Sequence, residues 1–176
     1  MAWIDAIRDI ASRYSEAAGR TAPAPADSQQ DYHNVAEAAP PQVIADGLAH
    51  AFRSNQTASF PELLSSLFTA SNPDQKAGFL NQFIAAIGPA ALANVPGLNE
   101  LARASSAGQS VTPQRASQIS AEQVQQAAAH LERTNPSIID KVSGFYAQHP
   151  GVVKALGSAA LTIAIRRIVQ KHAGTT

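Results

Sequence analysis

Residues 59–87 decide the fold, and they read SFPELLSSLFTASNPDQKAGFLNQFIAAI. Ser59 followed by Glu62 is a capping box, and Asn72 followed by Pro73 pairs a cap residue with a proline suited to the first helical turn. After each start, Leu, Phe and Ile recur at helical spacing. The stretch therefore predicts two helices joined by a short turn, an αα-hairpin at the centre of the core that holds four of the six phenylalanines.

Helix-start signals recur on both sides of this stretch. They are Pro40-Pro41, Thr112-Pro113, Ser120 with Gln123, Asn135-Pro136 and His149-Pro150. No stretch of five or more residues alternates apolar and polar side chains with strand formers on the inward side. We therefore predict an all-α fold, an irregular bundle of about six to eight short helices with a tethered N-terminal amphipathic helix.

Composition supports helices and excludes several kinds of function. Alanine, the best helix former, makes up about a fifth of the 176 residues, so the core is expected to be thin and closely packed. The absence of cysteine excludes a disulfide framework, thiolate-bound zinc or iron–sulfur clusters, and a cysteine nucleophile.

The chain divides into three predicted parts. Residues 1–20 form the amphipathic helix, residues 21–41 an Ala- and Pro-rich linker, and residues 42–176 a helical domain with a flexible connection near residues 104–111. Within the domain, His149-Pro150 is expected to lead into one helix from Val152 to Lys171, apolar nearly all round.

The first helix carries a candidate partner-binding stripe. Trp3, Ile7, Ile10 and Tyr14 recur at spacings of four, three and four. This stripe could pack on its own domain, on a second copy, on another protein or on a lipid surface, and Asp5 weakens the case for anionic lipid. On a second copy it would build an exchanged assembly.

The C-terminal part carries a candidate anion-binding set. Residues 1–100 have ten acidic and five basic side chains, whereas residues 101–176 have three acidic and eight basic ones. Lys154, Arg166, Arg167 and Lys171 could contact anionic membrane or phosphate. Alternatively, cations near a helix C-terminus complement its dipole, and the two halves neutralise each other within the fold. Nucleic acid is not an expected partner, because aromatic residues do not interleave with the arginine and lysine residues.

No catalytic, cofactor or metal site is predicted. Asp46 and His50 stand four apart on one predicted helix, but two ligands do not make a metal site. There is no Gly-x-Ser-x-Gly elbow and no glycine-rich phosphate loop. An enzyme would need a site assembled from distant residues, and a deep pocket lined by Asp46, His50 or His130 would indicate one.

The cytoplasm is the expected location. Asp5 and Asp9 interrupt the stretch that a signal peptide would need to keep apolar. The longest charge-free apolar run, from Ala155 to Ile165, is too short for a single helix to cross a bilayer.

Two phrases carry a resemblance to a known family. The segment Val111-Thr-Pro-Gln-Arg-Ala-Ser-Gln-Ile-Ser-Ala-Glu-Gln-Val124 and the segment Asn72-Pro-Asp-Gln-Lys-Ala-Gly-Phe-Leu-Asn-Gln82 resemble the small Ala-, Gln- and Gly-rich bacterial proteins grouped around the YidB-like family. The resemblance implies a helical fold and a bacterial source, and it brings no catalytic residues. The Trp-bearing first helix and the long Ala-Pro linker depart from the family pattern.

Together these patterns predict a non-enzymatic helical protein that acts through protein contacts, foremost by self-association in an assembly or accessory role. The alternative is a peripheral binder of anionic membrane or polymer through the basic C-terminal helix. The third hypothesis is an enzyme.

Overall fold

A computed structural model describes residues 2–16, 28–95 and 98–173. Every regular element in these ranges is helical, which confirms the all-α prediction. The first seven helices are α1 (Ala2–Ala6), α2 (Arg8–Glu16), α3 (Ser28–Ala38), α4 (Pro41–Arg53), α5 (Phe60–Ala70), α6 (Pro73–Ile87) and α7 (Pro89–Ala93). The others are α8 (Asn99–Ser106), α9 (Pro113–Gln118), α10 (Ala121–Thr134), α11 (Ile138–Tyr146), α12 (Pro150–Val153) and α13 (Ser158–Ala173), with a 3-10 turn at Lys154–Leu156.

The predicted caps form as local hydrogen bonds. The Ser59 N–H donates to the Glu62 carboxylate at 3.1 Å. At α6, the Asn72 side chain accepts from the Gln75 N–H at 2.8 Å, and Gln75 accepts in return from the Asn72 N–H at 3.0 Å. Ser120 and Gln123 make the same reciprocal pair at the start of α10. Each cap satisfies donors that a helix start leaves without partners, so these boundaries follow from sequence alone.

The described ranges contain thirteen α-helices, more than the six to eight expected. The first helix is interrupted by a turn at Ile7, so it is two pieces, α1 and α2. The expected long helix from Val152 is interrupted too, because Gly157 adopts φ +85°, a conformation that ends the 3-10 turn before α13 begins. The apolar run from Ala155 to Ile165 is therefore divided between two elements.

The predicted linker is shorter than residues 21–41. Residues 21–27 lie outside the described ranges, and Ser28–Ala38 is a helix. Tyr32 and Val35 of this helix are fully buried, and α3 packs on α13. Two large side chains one helical turn apart thus suffice to anchor α3 through tertiary packing. The connection predicted near residues 104–111 begins as the last turn of α8, and Asn81 holds the Val111 backbone at its far end by two hydrogen bonds.

The expected αα-hairpin is wrong as a packing unit, although both of its helices form. Helix α5 packs mainly on α10, and α6 packs on α9 and α11. The two meet through Phe68 and Phe79, whose ring centroids lie 6.2 Å apart. Phe79 is the centre of the aromatic core, because it also contacts the rings of Phe83, Phe145 and Tyr146.

Helix α13 organises the other half of the core, where it packs on α4, α2 and α3. Its crossing with α4 is unusually close at Gly47. A Cβ built on Gly47 would lie 2.9 Å from the Ala164 carbonyl oxygen and 2.7 Å from Cγ1 of Ile168. Only a residue without a side chain fits this crossing, so Gly47 sets the distance between α4 and α13.

No helix in the described ranges is long and apolar enough to cross a membrane.

Candidate functional site

A cleft of about 560 Å³ lies where the C-terminal end of α4 meets α13. We call it the basic cleft, and it is lined by His50, Arg53, Ser54, Asn55, Gln56, Ile163, Arg166, Arg167 and Gln170. On α13, Ile163, Arg166, Arg167 and Gln170 follow the i, i+3, i+4, i+7 pattern that places side chains on one helix face. On α4, His50 and Arg53 occupy the last turn, beyond the close crossing at Gly47.

Two ion-pair groups flank the basic cleft. Asp46 accepts from Nε of Arg167 at 3.2 Å and lies 3.1 Å from Nζ of Lys171. Arg53 donates both terminal amines to the two carboxylate oxygens of Asp140, at 3.0 and 2.8 Å. The Asp46 group joins the acidic N-terminal half of the sequence to its basic C-terminal half, which supports the expectation that the two halves neutralise each other within the fold. The Arg53–Asp140 pair joins the minority charges of the two halves and does not reduce the difference between them.

The ion pairs favour the charged forms of Asp46 and Arg53. Burial disfavours the charged form of Asp46, but hydrogen bonds and charge from Lys171 and Arg167 outweigh it, so the pKa of this carboxyl lies below its usual range. The hydrogen bond to Asp140 raises the pKa of Arg53 against a smaller opposing effect of burial. The Asp46 carboxyl and the Arg53 guanidinium therefore stay ionised around neutral pH.

Cationic side chains are concentrated here. Arg53, Arg166 and Arg167 line the basic cleft, Lys171 lies beside it, and Asp46 and Asp140 pair with three of these four side chains. Arg167 uses only Nε for Asp46, so its two terminal amines remain available as donors. Planar guanidinium groups with spare donors suit phosphate and carboxylate oxygens, which they can bind in bidentate fashion.

Part of this positive charge complements the dipole of α4. His50 and Arg53 lie in its last turn, where cations are favourable, and the Thr57 hydroxyl donates to the Ala51 carbonyl oxygen at 3.0 Å. The dipole does not account for Arg166 and Arg167, because these residues lie in α13 and reach the cleft from the other side. The arrangement can therefore hold a compact anion between two helices.

The structure places three of the four predicted anion-binding residues together. Arg166 and Arg167 line the basic cleft, and Lys171 pairs with Asp46 beside it. Lys154 lies in the 3-10 turn before α13, where its carbonyl oxygen accepts from the Gln29 side chain. From the start of α13 to Arg166 the helix rises about 12 Å, so Lys154 does not belong to the cleft.

The predicted partner-binding stripe is covered by its own chain. Ile7, Ile10 and Tyr14 are 3%, 6% and 1% exposed, and Trp3 is half-buried against the same core. Helix α2 packs on α13 and α1 on α3.

A polar latch adds to this packing. The carboxylate of Asp31, 3% exposed, accepts from Arg13 at 2.7 Å and from the Tyr14 hydroxyl at 3.1 Å. The latch ties the N-terminal helix to α3.

The residues weighed for metal binding or catalysis do not assemble. In the described part of the chain, no group of three or more His, Asp or Glu side chains could hold a metal ion. Asp46 is engaged by Arg167 and Lys171. His50 lines the basic cleft, whereas His130 lies on α10, away from it.

Sequence reasoning missed Arg53 and Asp140, and it weighed His50 only as a possible metal ligand or as the lining of an enzyme pocket. Arg53 and Asp140 are separated by 87 positions, and nothing local in the sequence indicates that their helices meet. Gly47 is the one available sign that these helices meet, because a glycine within a helical pattern often marks a close approach of another backbone.

Comparison with protein-family models, curated proteins and solved structures gives no significant match, so the resemblance to YidB-like proteins stays a prediction.

Proposed function

We propose that this chain is a non-enzymatic helical binding protein whose basic cleft holds a phosphate or similar oxyanion. The observation that carries the proposal is the convergence of Arg53 from α4 with Arg166 and Arg167 from α13 on one concave surface. Three guanidinium groups on one surface, with the terminal amines of Arg167 not used by Asp46, favour an anionic ligand. The neutral side chains of Asn55, Gln56 and Gln170 add hydrogen-bonding groups around it.

The phosphate could belong to a free molecule or to a lipid headgroup. The basic cleft is open to solvent, so a free phosphate can enter it, and a lipid headgroup is the second source of the same chemistry.

Self-association through Trp3, Ile7, Ile10 and Tyr14 stays a prediction. Because these residues pack on α3 and α13 of the same chain, association through them would need exchange of the N-terminal helix between two copies. The cytoplasmic location and the bacterial source also stay predictions.

Titration with inorganic phosphate and pyrophosphate, followed by calorimetry and by thermal unfolding, tests the proposal. Arg166→Gln should weaken binding about tenfold, because it removes a guanidinium from the cleft. Asp46→Asn should strengthen it, because it removes a carboxylate and releases Arg167 and Lys171. Lys154→Gln is the matched control, since it removes one positive charge outside the cleft and should leave affinity unchanged.

The Asp46→Asn variant shows whether the cations of the basic cleft bind an anion or serve only a structural role. If the cations serve only the α4 dipole and the ion pairs, this variant loses stability and gains no affinity for phosphate. Phosphate affinity that does not differ among wild type, Arg166→Gln and Lys154→Gln would overturn the proposal. Sedimentation with phosphatidylglycerol vesicles, compared with phosphatidylcholine vesicles at low salt, shows whether a headgroup can supply the phosphate.

A further inference from the structure

A second cleft, of about 490 Å³, lies between α6 and α11 and shares no lining residue with the basic cleft. We call it the aromatic cleft. Its floor is formed by the edges of Phe79, Phe83 and Phe145, which are at most 7% exposed, with the buried Ile138 and Val142 beside them. The volume falls within the range of small-molecule sites, and such sites are mostly lined by apolar and aromatic side chains.

Small residues keep the aromatic cleft open. Ala85 and Ala86 on α6 and Gly144 on α11 line it where larger side chains would close it. A Cβ built on Gly144 would meet no atom within 4 Å, so the space beside this residue is empty of protein. The two helices are held in place by the ring contacts of Phe79 with Phe145, whose centroids lie 5.7 Å apart.

The rim is polar and carries one cation. Lys141, Gln82 and Gln148 line the cleft and are exposed. The Lys141 side chain makes no ion pair or hydrogen bond with any described residue, whereas the neighbouring Asp140 is already engaged by Arg53. Among the described residues, no acidic side chain lines the aromatic cleft. The cleft thus combines an apolar interior with an ammonium group at its mouth that no described carboxylate neutralises.

We propose that the aromatic cleft binds an amphipathic monocarboxylate, a medium-length alkyl or aryl chain that ends in a carboxylate. The apolar chain would lie along the three phenylalanines and beside Gly144, where it leaves water. The carboxylate would reach Lys141 at the rim, with the amides of Gln82 and Gln148 as hydrogen-bond donors. A polar ligand such as a sugar finds few partners in the interior of the cleft, since phenylalanine, alanine and valine side chains offer it no hydrogen bonds.

Decanoate and 1-decanol, titrated by calorimetry below their aggregation limits, test the two halves of this proposal. Gly144→Leu fills the interior and should weaken both ligands at least tenfold. Lys141→Met should weaken decanoate about tenfold and leave 1-decanol unchanged, because only the carboxylate uses the ammonium group. Lys141→Arg should retain decanoate binding.

Two further measurements keep the outcome decisive. In amide NMR spectra of the wild type, decanoate should shift the signals of Gly144 and Gln148 and leave that of Gly108, in a distant connection, in place. Arg166→Gln, which alters the basic cleft, should bind decanoate like the wild type, so a failure of one proposal does not imply failure of the other. Decanoate affinity that is unchanged in Gly144→Leu, or shifts spread over the whole spectrum, would overturn the assignment.

Discussion

The close crossing at Gly47 allows a substitution whose effect can be worked out from distances. Replacing a helical Gly by Ala normally stabilises a protein by about 0.5–1 kcal/mol, because the unfolded chain loses conformational freedom. At Gly47 the new methyl group would lie 2.9 Å from the Ala164 carbonyl oxygen and 2.7 Å from Ile168 Cγ1. A backbone oxygen can move only with its helix, and Ile168 is buried with little room to rotate. Overpacking of this kind costs about 1–3 kcal/mol.

Gly47→Ala should therefore lower the free energy of unfolding by up to about 2.5 kcal/mol, with a midpoint of about 1 kcal/mol, after the helix gain is subtracted. For a chain of this length the midpoint corresponds to a fall in Tm of about 2–4 °C. Urea unfolding followed by circular dichroism measures the difference.

Gly78→Ala is the matched control for this substitution. It also places a methyl group in the middle of a helix, but its nearest atoms, on Phe145, lie at an ordinary 3.8 Å. The control should be as stable as the wild type or more stable. The reasoning fails if Gly47→Ala gains stability to the same extent as Gly78→Ala.

Three further substitutions test buried or paired polar groups. The Tyr32 hydroxyl is buried without a hydrogen-bond partner among the described residues, and burial raises the pKa of the phenol. Tyr32→Phe should therefore raise the free energy of unfolding by about 1 kcal/mol in urea titrations, and a loss of stability would contradict this reasoning. Asp31→Asn removes the carboxylate that accepts hydrogen bonds from Arg13 and Tyr14, so it should lower the free energy of unfolding by about 1–2 kcal/mol. It should also speed hydrogen exchange in α2 more than in α4. An equal increase of the exchange rate in both helices would contradict the latch. The pKa of Asp46 is depressed in the folded state, so its ion pairs stabilise the protein above about pH 4 and lose this effect as pH falls through the lower folded pKa. At neutral pH the free energy of unfolding of the wild type should exceed that of Asp46→Asn by less than about 1 kcal/mol. A difference in this free energy that persists in strong acid would contradict this assignment.

Helix starts could be predicted because their causes are local. Ser59 and Glu62, or Asn72 and Gln75, satisfy each other within one turn, whatever the rest of the chain does. The break before α13 was missed because Gly157 lies within an apolar run whose composition favours a continuous helix, and only the positive φ ends it. Helix α3 was missed because its stability comes from the burial of Tyr32 and Val35.

The basic cleft could be predicted only on one side. The spacing of Arg166, Arg167 and Lys171 along one helix is visible in the sequence, and it places these cations close together. Arg53 and His50 join them only because α4 crosses α13, and that pairing depends on the bare backbone at Gly47. The aromatic cleft was not predicted, since phenylalanines and alanines at helical spacing are typical of a packed core.

The contact between α2 and α13 joins segments about 150 positions apart in the chain. During synthesis at about 5–20 residues per second, α13 leaves the ribosome roughly 8 to 30 seconds after α2. For that interval Ile10 and Tyr14 lack the helix on which α2 comes to rest. The order of translation thus separates the synthesis of α2 from the moment at which it can reach its final place.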